Sequence, residues 1–329
     1  MEIQDQVDLC FPHLLNTSCR KPTLHWSEAV LLNILLSSIS VITVVLNLLV
    51  IISVSHFRQL HTPTNILLLS LAVSDFLVGL LLMPVEIFRK TACWVFGDAL
   101  CSLYGFLTCN IVSASIGNIL LISIDRYVAI CYPLHYPTRV TVTKVKIGVC
   151  LCWVCSSFYS SFYVKDVLTE PNKTKSCYGE CMLVVDYITG SVDVVLSFIV
   201  PITVIIILYL RVFVVAVSQA RAMRFHVTAV KVQVSLTVTR KKSELKAART
   251  LGVLVVVYLI CYCPYYCYAV FEDNVLNTTY ASFLILMFYF NSCLNPVIYA
   301  LFYPWFRGAV KLIVTLQILK PGSCGASIM

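Results

Sequence analysis

Seven apolar runs dominate this chain, at about 29–55, 63–89, 101–130, 145–167, 187–216, 246–270 and 280–303. Each can cross a bilayer core as a helix, which takes roughly 20 residues. Lipid offers no water to a backbone, so runs of this kind fold as helices and bury their polar groups in a bundle. Only 12% of the 329 residues are charged, about half the share usual in a soluble domain. The stretch 1–28 reads as a short polar tail, with the first run as the insertion signal and no removable signal peptide expected. Repeats and low-complexity tracts are lacking, so 29–303 reads as one all-α, seven-transmembrane bundle. In 304–329, basic and apolar positions alternate over 305–317, as in a short amphipathic helix lying in the inner interface.

Charge orients the bundle. Of the 24 Lys and Arg, 17 fall on the side reached after odd-numbered runs and 7 on the other. The richer side is cytoplasmic by the positive-inside rule, which puts the N-terminus outside. Three Asn-x-Ser/Thr sequons, at Asn16, Asn172 and Asn277, then all lie outside, where glycosylation occurs. The formal charge of +8 is thus an insertion signal with an attraction to anionic inner-leaflet lipids, and a nucleic-acid partner is not expected. Cys10, Cys19, Cys93, Cys101, Cys177 and Cys181 fall in the oxidising compartment. Cys152-x-x-Cys155 has a metal spacing, but it lies in a span without a second pair, so zinc is not expected.

The last run carries Asn291, Asn295 and Pro296, whose amides and freed carbonyl must face protein. Asn295-Pro296-Val297-Ile298-Tyr299 resembles the seventh helix of rhodopsin-like G-protein-coupled receptors. With Asn291-Ser292 before it and Tyr303, Trp305 and Phe306 after it, the run resembles the signature of the trace amine-associated receptors. That resemblance implies a Cys101–Cys181 bond from the third helix to the second outer loop, and a second bridge from Cys177 to the N-terminal tail. By that resemblance Cys19 is chosen over Cys10 as its partner; sequence alone leaves connectivity open.

An acid within a span is costly and therefore functional by default, and Asp75 is one. With Asn47, Ser115, Asn291 and Asn295 at similar depth it resembles the family's buried sodium site. The alternatives are a hydrogen-bonded polar cluster without an ion, or a protonated Asp75. Asp125-Arg126-Tyr127 closes the third run, and Arg126 needs a carboxylate when the bundle is closed. Asp125 adjoins it, and Glu244 opens the sixth run; together they resemble the family's latch between third and sixth helices, a two-state element. Tyr209 and Tyr299 look like the tyrosines that reposition on activation. Tyr262 and Tyr258 depart from the family's usual tryptophan and phenylalanine, and Leu46 from its glycine.

An aminergic receptor of this kind ordinarily holds its ligand's ammonium on an aspartate of the third helix. At that position, 18 residues before Arg126 and about 27 Å further out, stands Thr108, which is no counter-ion. Asp186, Thr189, Gly190, Asp193 and Ser197 instead recur at steps of three or four, a polar stripe on the fifth run. Asp193, about 12 Å outward of Pro201, resembles the amine anchor that fish members of the family carry on the fifth helix. The alternatives are that it pairs with Lys165 or rests protonated. Tyr265, Tyr266, Tyr268 and Tyr289 can offer aromatic faces to a cation, and Cys109, Val112 and Tyr262 join Thr108 in the expected pocket. Glu86 either faces the pocket as a second anion, which would favour a diamine, or snorkels to water, or meets Arg89 one turn on.

The reading is an amine-sensing, plasma-membrane receptor coupled to a heterotrimeric G protein, of the stimulatory class if it follows its mostly olfactory relatives. The alternative is a rhodopsin-like receptor for a non-amine or peptide ligand. Motifs for metal, triad or phosphate chemistry are lacking, so an enzyme is not expected and no cofactor is called for beyond the sodium ion. A transporter would show inverted repeats.

Overall fold

The computed structural model describes residues 9–14, 17–21, 26–165, 177–181, 187–226, 252–268 and 278–325. Asn16, Asn172, Asp186, Glu244 and Asn277 lie outside them. The membrane helices are α1 (Trp26–His56), α2 (Pro63–Thr91), α3 (Gly97–Cys131) and α4 (Val142–Tyr163). α5 follows through Tyr187–Asp193, Val194–Ile199 and Val200–His226. α6 (Gly252–Tyr268) and α7 (Thr278–Phe302) complete a seven-helix bundle. Six of the seven are long and apolar enough to span a bilayer, and the described part of α6 is a shorter apolar helix.

Local chemistry sets the helix ends. The Thr62 hydroxyl accepts from Asn65 N at 3.3 Å, with Pro63 at the first helical position of α2. Thr141 caps α4 by accepting from Lys144 N. At the end of α7, Tyr303 is extended and Pro304 starts α8 (Pro304–Val314). Arg307 Nη1 reaches back to the Ala300 and Leu301 carbonyls at 2.8 and 3.2 Å, filling acceptors that a helix end leaves open. Ala309, Trp305 and Leu312 of α8 pack on Phe57 and Leu60, so this amphipathic helix is docked beneath α1.

α3 runs through the centre, and its buried residues meet those of α2, α5, α6 and α7 in one core. α1, α4 and α5 present Val41, Val45, Leu151, Phe158, Ile207 and Leu210 outward, as lipid-facing helices do. Two π-turns interrupt the register, Val78–Leu82 in α2 and Val194–Ile199 in α5. Each follows within one turn of an acid, Asp75 or Asp193. Gly79 lies in the first, where a Cβ would meet Thr43 at 3.0 Å, and its carbonyl accepts from Ser40 at 2.7 Å.

The outer cap is woven from three segments. Cys10 is bonded to Cys93, Cys19 to Cys177, and Cys101 to Cys181. Cys19 N donates to Tyr178 O at 2.8 Å, Tyr178 N to Thr17 O at 2.7 Å, and Trp94 N to Gly179 O at 2.8 Å. Gly179 holds φ +108°, and Cys10 lies against it, a conformation and an approach that favour glycine. The Cys10–Cys93 bridge, which joins the tail to the first outer loop, had no counterpart in the sequence reading. Six outer cysteines permit three pairs, and that parity was the available signal.

Candidate functional site

Asp193 sits half-buried at the end of the first segment of α5. Its Oδ1 accepts from Tyr159 Oη of α4 at 2.6 Å and from Ser197 Oγ, one turn on, at 2.8 Å. Among the described residues no basic group lies within 4.0 Å of this carboxylate, and Oδ2 receives no hydrogen bond. Lys165, its alternative partner, instead carries its Nζ 4.2 Å above the Phe162 ring. Tyr163, Tyr265, Tyr266 and Cys109 stand within electrostatic reach of the Asp193 charge.

Aromatic rings line the way inward. Phe198 stacks on Tyr266 at 4.6 Å, and Tyr265 meets Phe288 at 5.1 Å. Phe288 meets Tyr262 at 4.4 Å, which stacks on Tyr258 at 4.5 Å. Val112 is buried in the same core. The Thr108 hydroxyl is turned back to Tyr104 O on its own helix at 2.8 Å, so it is spent within α3.

Of the readings of Glu86, the Arg89 pairing is what the structure shows. Arg89 Nε and Nη2 donate to its two oxygens at 3.0 and 2.8 Å, and the Tyr104 hydroxyl donates at 2.8 Å. Tyr104 in turn stands 3.5 Å from the Tyr289 hydroxyl.

Midway through the bundle, Asp75 is buried. Asn295 Nδ2 donates to its Oδ2 at 2.8 Å and Ser115 Oγ to Oδ1 at 3.3 Å, with Ser292 also in reach. Asn291 Oδ1 lies 3.5 Å from Asn295 Nδ2. Pro296 cannot donate to the Ser292 carbonyl one turn back, and Asn47 Nδ2 fills that acceptor at 3.0 Å. Asn47 Oδ1 remains a buried acceptor without a described partner. The Tyr299 side chain is wholly buried below this cluster's helix turn, its hydroxyl likewise without a described partner.

At the inner end, Arg126 Nε and Nη2 donate to Asp125 Oδ2 at 2.9 and 2.6 Å. Thr64 of α2 donates to the same oxygen at 2.9 Å and touches Arg126 Nη2. Tyr136, from the short helix Tyr136–Arg139, donates to Asp125 Oδ1 at 2.8 Å. Burial and the Asp125 charge push the Tyr136 phenol up, so it stays a donor at neutral pH. Tyr127 packs edge-on against Tyr132 at 5.9 Å. Tyr209 lies on the α6 backbone at Gly252, where a Cβ would collide with its hydroxyl. Tyr159, Thr64, Tyr136 and Gly252 were not singled out in the sequence. The first three sit on other elements than the groups they hold, and Gly252 is marked only by its missing side chain.

A family model for the seven-transmembrane receptors of the rhodopsin family matches residues 46–299. Trace amine-associated receptor 13c of Danio rerio is 38% identical, over 97% of this chain and 95% of its own. Trace amine-associated receptor 8a of Rattus norvegicus is 38% identical over 99% and 97%, and trace amine-associated receptor 1 of Mus musculus 36% over 91% and 93%. The chain belongs to the trace amine-associated receptors of the rhodopsin family. It is a multi-pass membrane receptor, not an enzyme. In that frame the receptor carries polar clusters at three levels of its bundle: Asp193 and the Glu86–Arg89 pair toward the disulfide-linked end, Asp75 in the middle, and Arg126 toward the other end.

Proposed function

We propose that this receptor senses an extracellular amine at the plasma membrane, with Asp193 as the counter-ion of the ligand's ammonium. The observation that carries the reading is the Asp193 carboxylate itself. One of its oxygens is oriented by two hydroxyls, and the other receives no hydrogen bond among the described residues, with Tyr265 and Tyr266 within electrostatic reach. A carboxylate in the outer bundle without a cationic partner is expensive, and a bound ammonium relieves that cost. The names of the relatives support an amine ligand. Thr108, Cys109, Val112, Ser197, Tyr262, Tyr265, Tyr266 and Tyr289 complete the proposed pocket.

Ligand binding at α5 and α6 opens the cytoplasmic face to a heterotrimeric G protein of the stimulatory class. Arg126 is released from Asp125, and Glu244 supplies the second carboxylate of the latch. Asp75 has no basic partner among the described residues, and the oxygens of Ser115, Asn291, Asn295 and Asn47 suit a hard monovalent cation. A sodium ion held there would supply the missing positive charge. The N-terminus is extracellular, with Asn16, Asn172 and Asn277 glycosylated. An amine panel applied to cells expressing the receptor, read as cyclic AMP, tests the reading. A response to amines that Asp193→Asn removes supports it. Activation only by non-amine ligands or peptides overturns it.

A further inference from the structure

Glu86 and Arg89 form a closed unit at the edge of the proposed pocket. Both Glu86 oxygens accept from Arg89, and Oε2 accepts also from Tyr104. The remaining arm of the guanidinium, Nη1, donates to the Cys181 carbonyl at 3.0 Å. Cys181 is bonded to Cys101 at the start of α3, so Arg89 is held from both sides. Tyr104 carries the unit to the pocket, because its hydroxyl lies 3.5 Å from that of Tyr289. The next residue, Lys90, stands within electrostatic reach of Glu86 and Glu180. Two cations and two carboxylates therefore balance at this edge.

Across the pocket the account differs. Thr108 is uncharged, and among the described residues Asp193 has no basic group within 4.0 Å. Of the two carboxylates Glu86 and Asp193, only Asp193 is therefore without a basic group within 4.0 Å among the described residues. We infer that Arg89 is a specificity-determining residue: by occupying Glu86 it withholds a second anion, so the site takes ligands bearing one ammonium. A second ammonium reaching toward α2 meets a guanidinium instead of a carboxylate, and like charges in a poorly solvated site repel strongly. This inference rests on Asp193 as the anchor.

The test compares matched pairs, n-alkylamines against α,ω-diaminoalkanes of four to eight carbons, by cyclic AMP at equal surface expression. In the parent receptor the monoamines are the more potent, by roughly tenfold or more, which is about 1.4 kcal/mol. Arg89→Gln frees Glu86 and moves the diamine-to-monoamine potency ratio up by a similar factor. Glu86→Gln in that background removes the new anion and brings the ratio back. If Arg89→Gln does not reach the surface, Glu86→Gln alone still decides. It leaves Arg89 uncompensated, and both classes lose potency, the diamines more. Diamines equal to or better than monoamines in the parent would overturn the inference, as would a ratio unmoved by these variants. Asp193→Asn separates the two ideas. A silent Asp193→Asn with an unmoved ratio sinks the Arg89 role alone, and a fully responsive Asp193→Asn sinks the anchor on which it rests.

Discussion

Tyr159 Oη and Asp193 Oδ1 lie 2.6 Å apart, a contact between α4 and α5 that fixes the carboxylate's orientation. Ser197 donates to the same oxygen from one turn below. Both hydroxyls use Oδ1, and among the described residues Oδ2 receives no hydrogen bond.

Asp193→Asn keeps size and removes charge. Breaking one side of a hydrogen-bonded, partly buried ion pair costs about 3–5 kcal/mol. Potency of the best amine agonist then falls by roughly two to three orders of magnitude. Thr108→Ala has little effect, because that hydroxyl serves its own helix. Concentration–response curves at matched surface expression check both.

Tyr159→Phe deletes one of the two hydroxyls on Asp193. A hydrogen bond to a charged group contributes about 1.5–3 kcal/mol. With Ser197 still donating, potency drops by roughly tenfold, the lower end of that range. The maximal response stays near the parent's. A variant indistinguishable from the parent in potency would remove Tyr159 from the site.

The helical spans were legible because they depend on composition alone. The place of Asp193 on a polar face of the fifth run was legible too, since polar residues at steps of three or four mark one side of an apolar helix. Its partner Tyr159 was not. An aromatic in α4 reads as a packing residue until α5 is placed against it. Glu86 and Arg89 show the intermediate case. Their spacing of three permits an ion pair, but the choice between that pair and an inward carboxylate rests on Tyr104 and Cys181, distant in sequence. Asn47 illustrates the same limit: its depth was readable, but not that it completes the acceptor Pro296 leaves open.

Gly252→Ala places a methyl where the Tyr209 hydroxyl lies. Either the ring leaves or the two helices part, and both loosen the α5–α6 packing. Ligand-free signalling rises as a result. Tyr209→Phe in the same chain removes the clashing oxygen and restores it in part. Basal cyclic AMP of the two single variants and the double variant decides this, with no rise in Gly252→Ala as the adverse result.

Tyr136→Phe removes a donor from Asp125 and loosens the cage around Arg126. Basal signalling increases, and Thr64→Ala acts in the same direction through the other side of the cage. The raised Tyr136 phenol pKa lies above the ordinary value near 10. The group is therefore a neutral donor at every pH below that value, and the Tyr136→Phe effect is constant between pH 6 and 8. A difference that disappears within that range would argue against this hydrogen bond.

Non-reducing peptide mapping recovers three outer bridges, Cys10–Cys93, Cys19–Cys177 and Cys101–Cys181. Replacing Cys10 and Cys93 together by serine lowers thermal stability by about 2–4 kcal/mol, the usual effect of a bridge closing a long loop. Recovery of Cys93 as a free thiol would refute the third bond.

The outer weave also decides where this molecule can move. Covalent links join the tail, the α2–α3 loop and the α4–α5 loop to the head of α3, and among the described residues the opposite ends of the helices carry none. Such a bundle behaves as a set of levers with their fulcrum at the stapled end. A displacement of a fraction of an ångström beside Asp193 has the remaining length of the helix over which to grow. Its largest excursion falls at the far tip, beside Arg126.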